Sequence, residues 1–376
     1  MNNENAIDWN LILINVQIHL YLPKSDLANL SLTSKLIGKK LFPMLYKSTK
    51  ISENILLNQP SYFMNNQILE FRDIDSLSYL RLIGKNWFNK EAAFKEAHID
   101  PFIKELKSQV KLRAIRSESL SFDHLLKACY YLLPITLEFL NLRNLSLNYC
   151  IVSLKQLNNV MEKLTKLEVL DLKNIYIIKS SDCSSINNIN LPQSLCSLTY
   201  SNVNSWLTNI PLKKPHHFLS TTCMVYDNLI RLFSPVHISS LRKFCYISNI
   251  GSEEYIAFLR FNNQIEDLSL PITLISAIKT NSELLTNLKK LRLYAQNFNY
   301  EQIAPDNLNI PNFPNLEELN LNLRTNTEMK FAELLIKKCP KLRKLNITSI
   351  EFEIQKLREL VKFAKNLKYF NGEVLF

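Results

Sequence analysis

Few residues in this chain stand at a spacing that could do chemistry. The one adjacent histidine pair, His216-His217 in LKKPHHF, follows Pro215 and has no Cys or acid at ligand spacing, so a solvated loop is a better reading than a metal site, which needs converging ligands. The acid pairs Glu253-Glu254 and Glu317-Glu318 would serve general acid-base catalysis only with a nucleophile and an orienting group beside them. An exposed helix start and a row of strand charges account for them more simply. The four glycines, Gly38, Gly84, Gly251 and Gly372, are too few and too scattered for a phosphate-cradling loop or a dinucleotide fingerprint. The chain therefore reads as non-catalytic, with no cofactor and no metal.

The elements that must carry any other function are large. With 376 residues, 47% of them hydrophobic and 21% charged, the chain can bury a substantial core and lacks the composition of disorder. Seven cysteines are scattered without a CxxC, which fits a reducing compartment. The apolar run LILINVQIHLYL at 11–22 follows Glu4 and Asp8 with no Lys or Arg; it lacks the basic start of a signal peptide and is shorter than a membrane span. Cytoplasm, nucleus or both are expected.

A repeat decides the fold. LRNLSLNYC (142–150), LEVLDLKNI (167–175), IEDLSLPIT (265–273), LKKLRLYAQ (288–296), LEELNLNLR (316–324) and LRKLNITSI (342–350) share an LxxLxL frame. Weaker copies are LCSLTYSNV, LRKFCYISN and LKYFNG. Apolar positions alternate within each frame, as a strand requires, and recur at three and four between frames, as in Leu154, Leu157, Met161 and Leu164 or Ile354, Leu357, Leu360, Val361 and Ala364. These segments resemble leucine-rich repeats over residues 137–376, which implies an α/β solenoid with a parallel concave sheet and convex helices. LSYLRL (77–82) and LRAIRS (112–117) are candidate degenerate first repeats within 51–136, and 176–240 keeps the frame least well. Cys339, just before Leu342, stands where such repeats bury a Cys.

The opening segment belongs to no repeat. Leu11, Ile14, Ile18 and Leu22 share one helical face, Pro23 ends that helix, Ser25 can cap a second carrying Leu27 and Leu30, and Ser34 can cap a third carrying Leu36, Ile37 and Leu41 until Pro43. YLPKSDLANLSLTSK followed by LFPMLYKSTKIS resembles an F-box over residues 9–50, although Asn10, Leu11 and Leu13 replace its usual Leu-Pro-x-Glu start. The resemblance implies a small three-helix unit that docks on the Skp adaptor of a cullin-based SCF ubiquitin ligase through Leu22, Pro23, Asp26, Leu27, Leu30 and Ser34, with the repeats holding the target protein.

Charge refines this expectation. The net charge of +11 suits an acidic partner or nucleic acid, but the second frame positions alternate in sign along Arg242, Glu266, Lys289, Glu317 and Arg343, ending on Lys368; the third run Lys243, Asp267, Lys290, Glu318, Lys344 and Tyr369. Stacked roughly 4.8 Å apart in a parallel sheet, they form a ladder that cancels charge along that edge rather than a phosphate-tracking stripe. The uncharged rows beside it place Arg292, Tyr294, Asn320, Asn322, Asn346 and Thr348 as candidate substrate-binding residues. The expected function is substrate recognition in an SCF-type ligase. The alternatives are a nuclear or kinetochore F-box scaffold and a plain repeat module whose N-terminus is a cap. Nucleic acid is a less favoured partner, and no membrane contact is expected.

Overall fold

The structure, a computed structural model, describes residues 22–52, 103–126 except 105, 109, 112 and 113, 128–180, 188–208, 225–226, 235–247, 252–294, 310–323, 326–349, 358–371 and 373–374. The proposed first helix with Asn10, Leu11 and Leu13, the LSYLRL segment and His216-His217 lie outside these residues.

Alternation within the strand puts the fourth and sixth frame positions on one face, and the first leucine, in the turn before the strand, packs into the same core: Leu142, Leu145 and Leu147, then Leu167, Leu170 and Leu172, are all buried, as are Leu342, Leu345 and Ile347 near the other end. The strands are β1 (Ser48–Ser52), β2 (Ser119–Leu126), β3 (Asn144–Ser153), β4 (Val169–Lys173), β5 (Tyr176–Ser180), β6 (Ser197–Ser201), β7 (Asn204–Thr208), β8 (Val225–Tyr226), β9 (Lys243–Ile247), β10 (Asp267–Pro271), β11 (Lys290–Tyr294), β12 (Glu318–Leu323), β13 (Lys344–Ser349), β14 (Tyr369–Phe370) and β15 (Glu373–Val374). The main sheet runs β1-β2-β3-β4-β6-β9-β10-β11-β12-β13-β14, parallel throughout, and β15 closes its far edge antiparallel to β14. Registers place frame on frame: Leu145 pairs with Leu170, Leu170 with Leu198, and Leu319 with Leu345. The described residues thus form an α/β solenoid of stacked coils, with one continuous core from Ile51 to Phe370.

The return segments vary. Helices α1 (Lys24–Ser31) and α2 (Lys35–Tyr46) precede the sheet; α3 (Ala128–Leu132), α4 (Leu154–Lys163), α5 (Ser252–Phe261), α6 (Ser282–Asn287) and α7 (Asn326–Lys337) lie between strands. In α4 the expected stripe is realised, with Leu154, Leu157, Met161 and the following Leu164 buried. Beside the main sheet runs a second, smaller one: Ile151–Ser153 of β3 pairs with β5, and β5 with β7, both parallel, and β8 pairs with β7 antiparallel. The sequences YIIKS and NSWLT supply the β-branched and aromatic side chains that suit this. In the coils of β2, β3, β4 and β6 the turn from the main sheet is made by a left-handed residue at the eighth frame position: His124 (φ 55°), Tyr149 (φ 50°), Asn174 (φ 51°) and Asn202 (φ 50°).

Three expectations are corrected. The described part of LRAIRS holds no strand: residue 114 is helical, a turn follows, and β2 starts at Ser119. The solenoid begins near residue 50, with β1 paired to β2 from Ser48↔Ser119 to Ser52↔Asp123. One polar residue stands where a leucine is expected in each of the first two coils: Thr49 on β1, opposite Leu120, and the buried Ser117 just before β2, with the two hydroxyls 2.8 Å apart. Helix α1 starts directly after Pro23, which puts residue 25 inside its first turn rather than at its N-cap, whereas the Ser34 hydroxyl accepts from the Ile37 amide at 3.2 Å as expected. Helix α2 continues through Pro43 to Tyr46, where Met44 and Leu45 pack on the buried Leu27, Ile37 and Leu41 and favour one further turn. Near the C-terminus a 3-10 turn, Leu360–Phe363, buries Leu360, and Ala364 after it is buried too.

Candidate interaction surface

The open face of the main sheet is made by the third, fifth and seventh frame positions, and the register fixes who adjoins whom. Ser269 pairs with Arg292, Arg292 with Asn320 and Asn320 with Asn346; Pro271 pairs with Tyr294, and Asn322 with Thr348. The six residues expected to bind a substrate therefore form one patch on β11, β12 and β13.

Much of that patch is engaged internally. The Arg292 guanidinium forks onto Asp267 at 2.7 and 3.2 Å and reaches Ser269 Oγ at 3.4 Å. Asn346 donates to Asn320 at 2.5 Å, Asn320 to Glu318 at 3.1 Å, and Thr348 to the Leu321 carbonyl at 3.4 Å. Tyr294 is half-buried beside Arg292, and burial raises its phenol pKa. A side chain already held by its neighbours loses little freedom on binding, so the patch offers a rigid surface rather than free donors.

The charge ladder is present and longer than expected. Backbone hydrogen bonds connect the second positions in the order Lys47, Glu118, Arg143, Glu168, Cys196, Arg242, Glu266, Lys289, Glu317, Arg343, Lys368. Signs alternate from Lys47 to Arg343 with the exposed Cys196 as the one uncharged rung. Ion pairs join Lys47 to Glu118 at 3.4 Å, Arg143 to Glu168, and Lys289 to Glu266 at 2.8 Å. In the third row Glu318 is shared by Lys290 at 3.3 Å and Lys344 at 3.7 Å. Partial burial works to raise the Glu318 pKa, but the Asn320 hydrogen bond and the two lysines outweigh it and hold the carboxyl below its ordinary value. Glu317-Glu318 is thus a ladder element.

A second chain of contacts, absent from the sequence reading, crosses the first coils. Asp123 pairs with Lys50 at 2.6 Å and accepts from Asn148 at 2.8 Å; Asn174 donates to Asn148 at 3.3 Å, and Asn202 to Asn174 at 3.0 Å. His124 Nδ1 lies 2.9 Å from Asp123, and its ring stacks on exposed Tyr149 at 4.5 Å. Partial burial works against ionisation of Asp123, yet bonds from Lys50, Asn148 and His124 prevail and lower its pKa. The available signal was the eighth frame position, where Asn recurs because it tolerates left-handed backbone.

In several coils a polar side chain also secures the turn. The residue before the first leucine of a frame donates to a carbonyl of the preceding coil: Asn141 to Ile115, Ser194 to Leu167, Gln264 to Ile238, Asn287 to Asn263, Asn315 to Thr286 and Asn366 to Pro340. These bonds satisfy turn carbonyls that the strand ladder leaves unused. Between this row and the charge ladder runs a polar groove of about 460 Å³ with Arg242, Glu266, Lys289, Glu317 and Lys341 in its wall.

In the N-terminal hairpin, Leu27 lies inside, Leu22 and Leu30 pack partly on the same cluster, Pro23 and Asp26 are on the outside, and Ser34 is the helix cap. Among the described side chains of the hairpin, the large apolar ones left outside are Leu32, 84% exposed, and Leu36, 53% exposed, next to exposed Lys35, Lys39 and Lys40. Gly38 permits the hairpin to close, since a Cβ there would stand 2.7 Å from the Ser31 carbonyl oxygen.

Among the described residues no three His, Cys, Asp or Glu side chains could share a metal ion, and no helix is long and apolar enough to cross a membrane. Cys339 is buried, which pushes its thiol pKa up to about 12. No family model and no curated protein matches the chain. Among solved structures, an internalin from Listeria monocytogenes is similar at 15% identity and a TM-score of 0.23, covering 71% of this chain and 83% of the internalin chain. A superposition that loose adds nothing to the strand order read directly above.

Proposed function

We propose that the chain is a non-catalytic substrate-recognition subunit of an SCF-type ubiquitin ligase. The N-terminal hairpin docks on a Skp-type adaptor and the open face of the repeats holds the protein to be modified. The observation that carries this reading is the pairing of Leu32 and Leu36 on the outside of a hairpin whose other leucines already close on Leu27, Ile37 and Leu41. Two exposed leucines flanked by lysines make an apolar contact with a basic rim, suited to an acidic adaptor.

The proposed mechanism is proximity. Only Lys47 separates α2 from β1, and β1 is hydrogen-bonded into the sheet. A partner held by the hairpin is therefore set at a fixed position relative to the open face, as a receptor must arrange between ligase and target.

One feature favours the second reading, in which the hairpin merely caps the array: α2 runs straight into the first strand, where repeat arrays need a terminal unit. Affinity purification separates the two. Parent protein is expected to recover the adaptor and a cullin, and Leu32→Asp with Leu36→Asp to recover neither while the repeats melt as before, because charges cannot enter an apolar contact without a desolvation cost. Recovery of no adaptor by the parent leaves the cap reading in its place.

A further inference from the structure

We infer that the open face is a receptor for an acidic polypeptide segment, an inference that rests on the reading of the repeats as the target-binding part. By sequence its charges cancel; in three dimensions they are layered. Lys50 is 59% exposed and its partner Asp123 20%; Lys173 is 45% exposed and Asp171 28%; Lys290 and Lys344 are 49% and 42% exposed over Glu318 at 16%. Arg292 likewise stands further out than Asp267. The cause is side-chain length: the carboxylates lie against the sheet, and the long stems of their partners reach past them to carry the cations to the surface.

The count has the same sign. At the open positions of the described strands, Lys50, Lys173, Lys243, Lys290, Arg292 and Lys344 stand against Asp123, Asp171, Asp267 and Glu318. Lys243 is exposed and has no ion-pair partner among the described residues. An approaching ligand meets the outer cations before the recessed acids.

The surface fits a polypeptide better than a polyphosphate. Cations occupy every second strand in the third row, with Asp267 and Glu318 between them. A nucleic-acid backbone, charged at every step, would have to pass over those acids. A polypeptide can set its own acids over Lys243, Lys290 and Lys344 and neutral residues between. Exposed Tyr149, stacked with His124, and exposed Tyr369 beside Lys344 add anchor-type contacts toward the two ends.

The test uses the full chain and fluorescence anisotropy with three probes: a peptide of alternating glutamate and glycine, the same peptide with glutamine for glutamate, and a random DNA duplex. The acidic peptide is expected to bind, the glutamine peptide not, and the combination Lys243→Gln, Lys290→Gln and Lys344→Gln to weaken binding about tenfold or more. The matching Arg variants should retain it, which separates lost charge from lost folding. Equal binding of both peptides, no binding of either, or a duplex bound more tightly than the acidic peptide overturns the inference. Adaptor recovery is measured in parallel. Recovery without acidic-peptide binding defeats this inference and leaves the ligase reading intact, whereas peptide binding without adaptor recovery defeats the ligase reading alone.

Discussion

Lys290 and Lys344 close on Glu318 from the two neighbouring strands, at 3.3 and 3.7 Å, so one carboxylate ties β11, β12 and β13 together. Each exposed pair contributes only about 0 to 1 kcal/mol. Replacing Glu317 and Glu318 by Lys together removes the shared acid and sets two new cations beside Lys289, Lys290, Arg343 and Lys344. The melting temperature should fall at low salt by the equivalent of about 1 kcal/mol and recover toward the parent's as salt screens the repulsion. Equal melting of variant and parent at low salt would show that these strands are not stacked in this register.

Gly38→Ala should open the N-terminal hairpin. The added methyl meets a backbone carbonyl, that of Ser31, which cannot rotate away like a flexible side chain. Overpacking of this kind costs about 1 to 3 kcal/mol, a large share of what a cluster built on Leu27, Ile37 and Leu41 supplies. Limited proteolysis should cut the variant near residues 31–34 while fragments containing the repeats stay resistant. Leu32→Asp with Leu36→Asp, by contrast, should leave the hairpin uncut.

What the sequence discloses follows from what each contact depends on. The frames at 142, 167, 316 and 342 are legible because leucine alternation is local, and the same alternation fixes which charges share a row. The bond from Arg292 to Asp267 was not legible. It runs diagonally from a fifth to a third position, whereas reading down the rows pairs only direct neighbours. Nor was the orientation of the hairpin. Helical spacing marks Leu27, Leu30 and Leu36 alike as apolar, and only the close crossing at Gly38 decides that Leu27 turns inward and Leu36 outward. The second sheet is not legible because YIIKS and NSWLT fall outside the LxxLxL frame, nor are the first two coils, because Thr49 in one and Ser117 in the other satisfy each other where leucines would stand.

The corner at Tyr149 makes a conformational prediction. Left-handed backbone costs an ordinary residue about 1 to 2 kcal/mol, and Asn174 and Asn202 show the less strained choice at the same frame position. Tyr149→Val should destabilise the protein by about 1 to 2 kcal/mol, since a β-branched residue suits this conformation least and the His124 stack is lost as well. Tyr149→Asn should stay within about 0.5 kcal/mol of the parent, the usual range for a surface change without strain. Denaturant midpoints of the two variants distinguish a strained corner from an ordinary exposed tyrosine, for which the two changes would cost the same.

Acid should loosen the solenoid through the two carboxylates held below their ordinary pKa, Asp123 and Glu318. A carboxyl whose folded pKa is lowered contributes stability that is complete above its unfolded value and is lost as pH falls through the folded one. The melting temperature should therefore be level near neutrality and fall once the pH drops below the ordinary carboxyl range. Glu318→Gln cannot lose a charge there, so its curve should start lower at neutral pH and converge on the parent's in acid. Lys50→Gln should do the same in part, because Asp123 keeps Asn148 and His124 as partners when the lysine is gone. Curves for Glu318→Gln and the parent that stay parallel through the acid range would mean that Glu318 ionises alike in the folded and unfolded chain, and that its contacts with Lys290 and Lys344 contribute no stability.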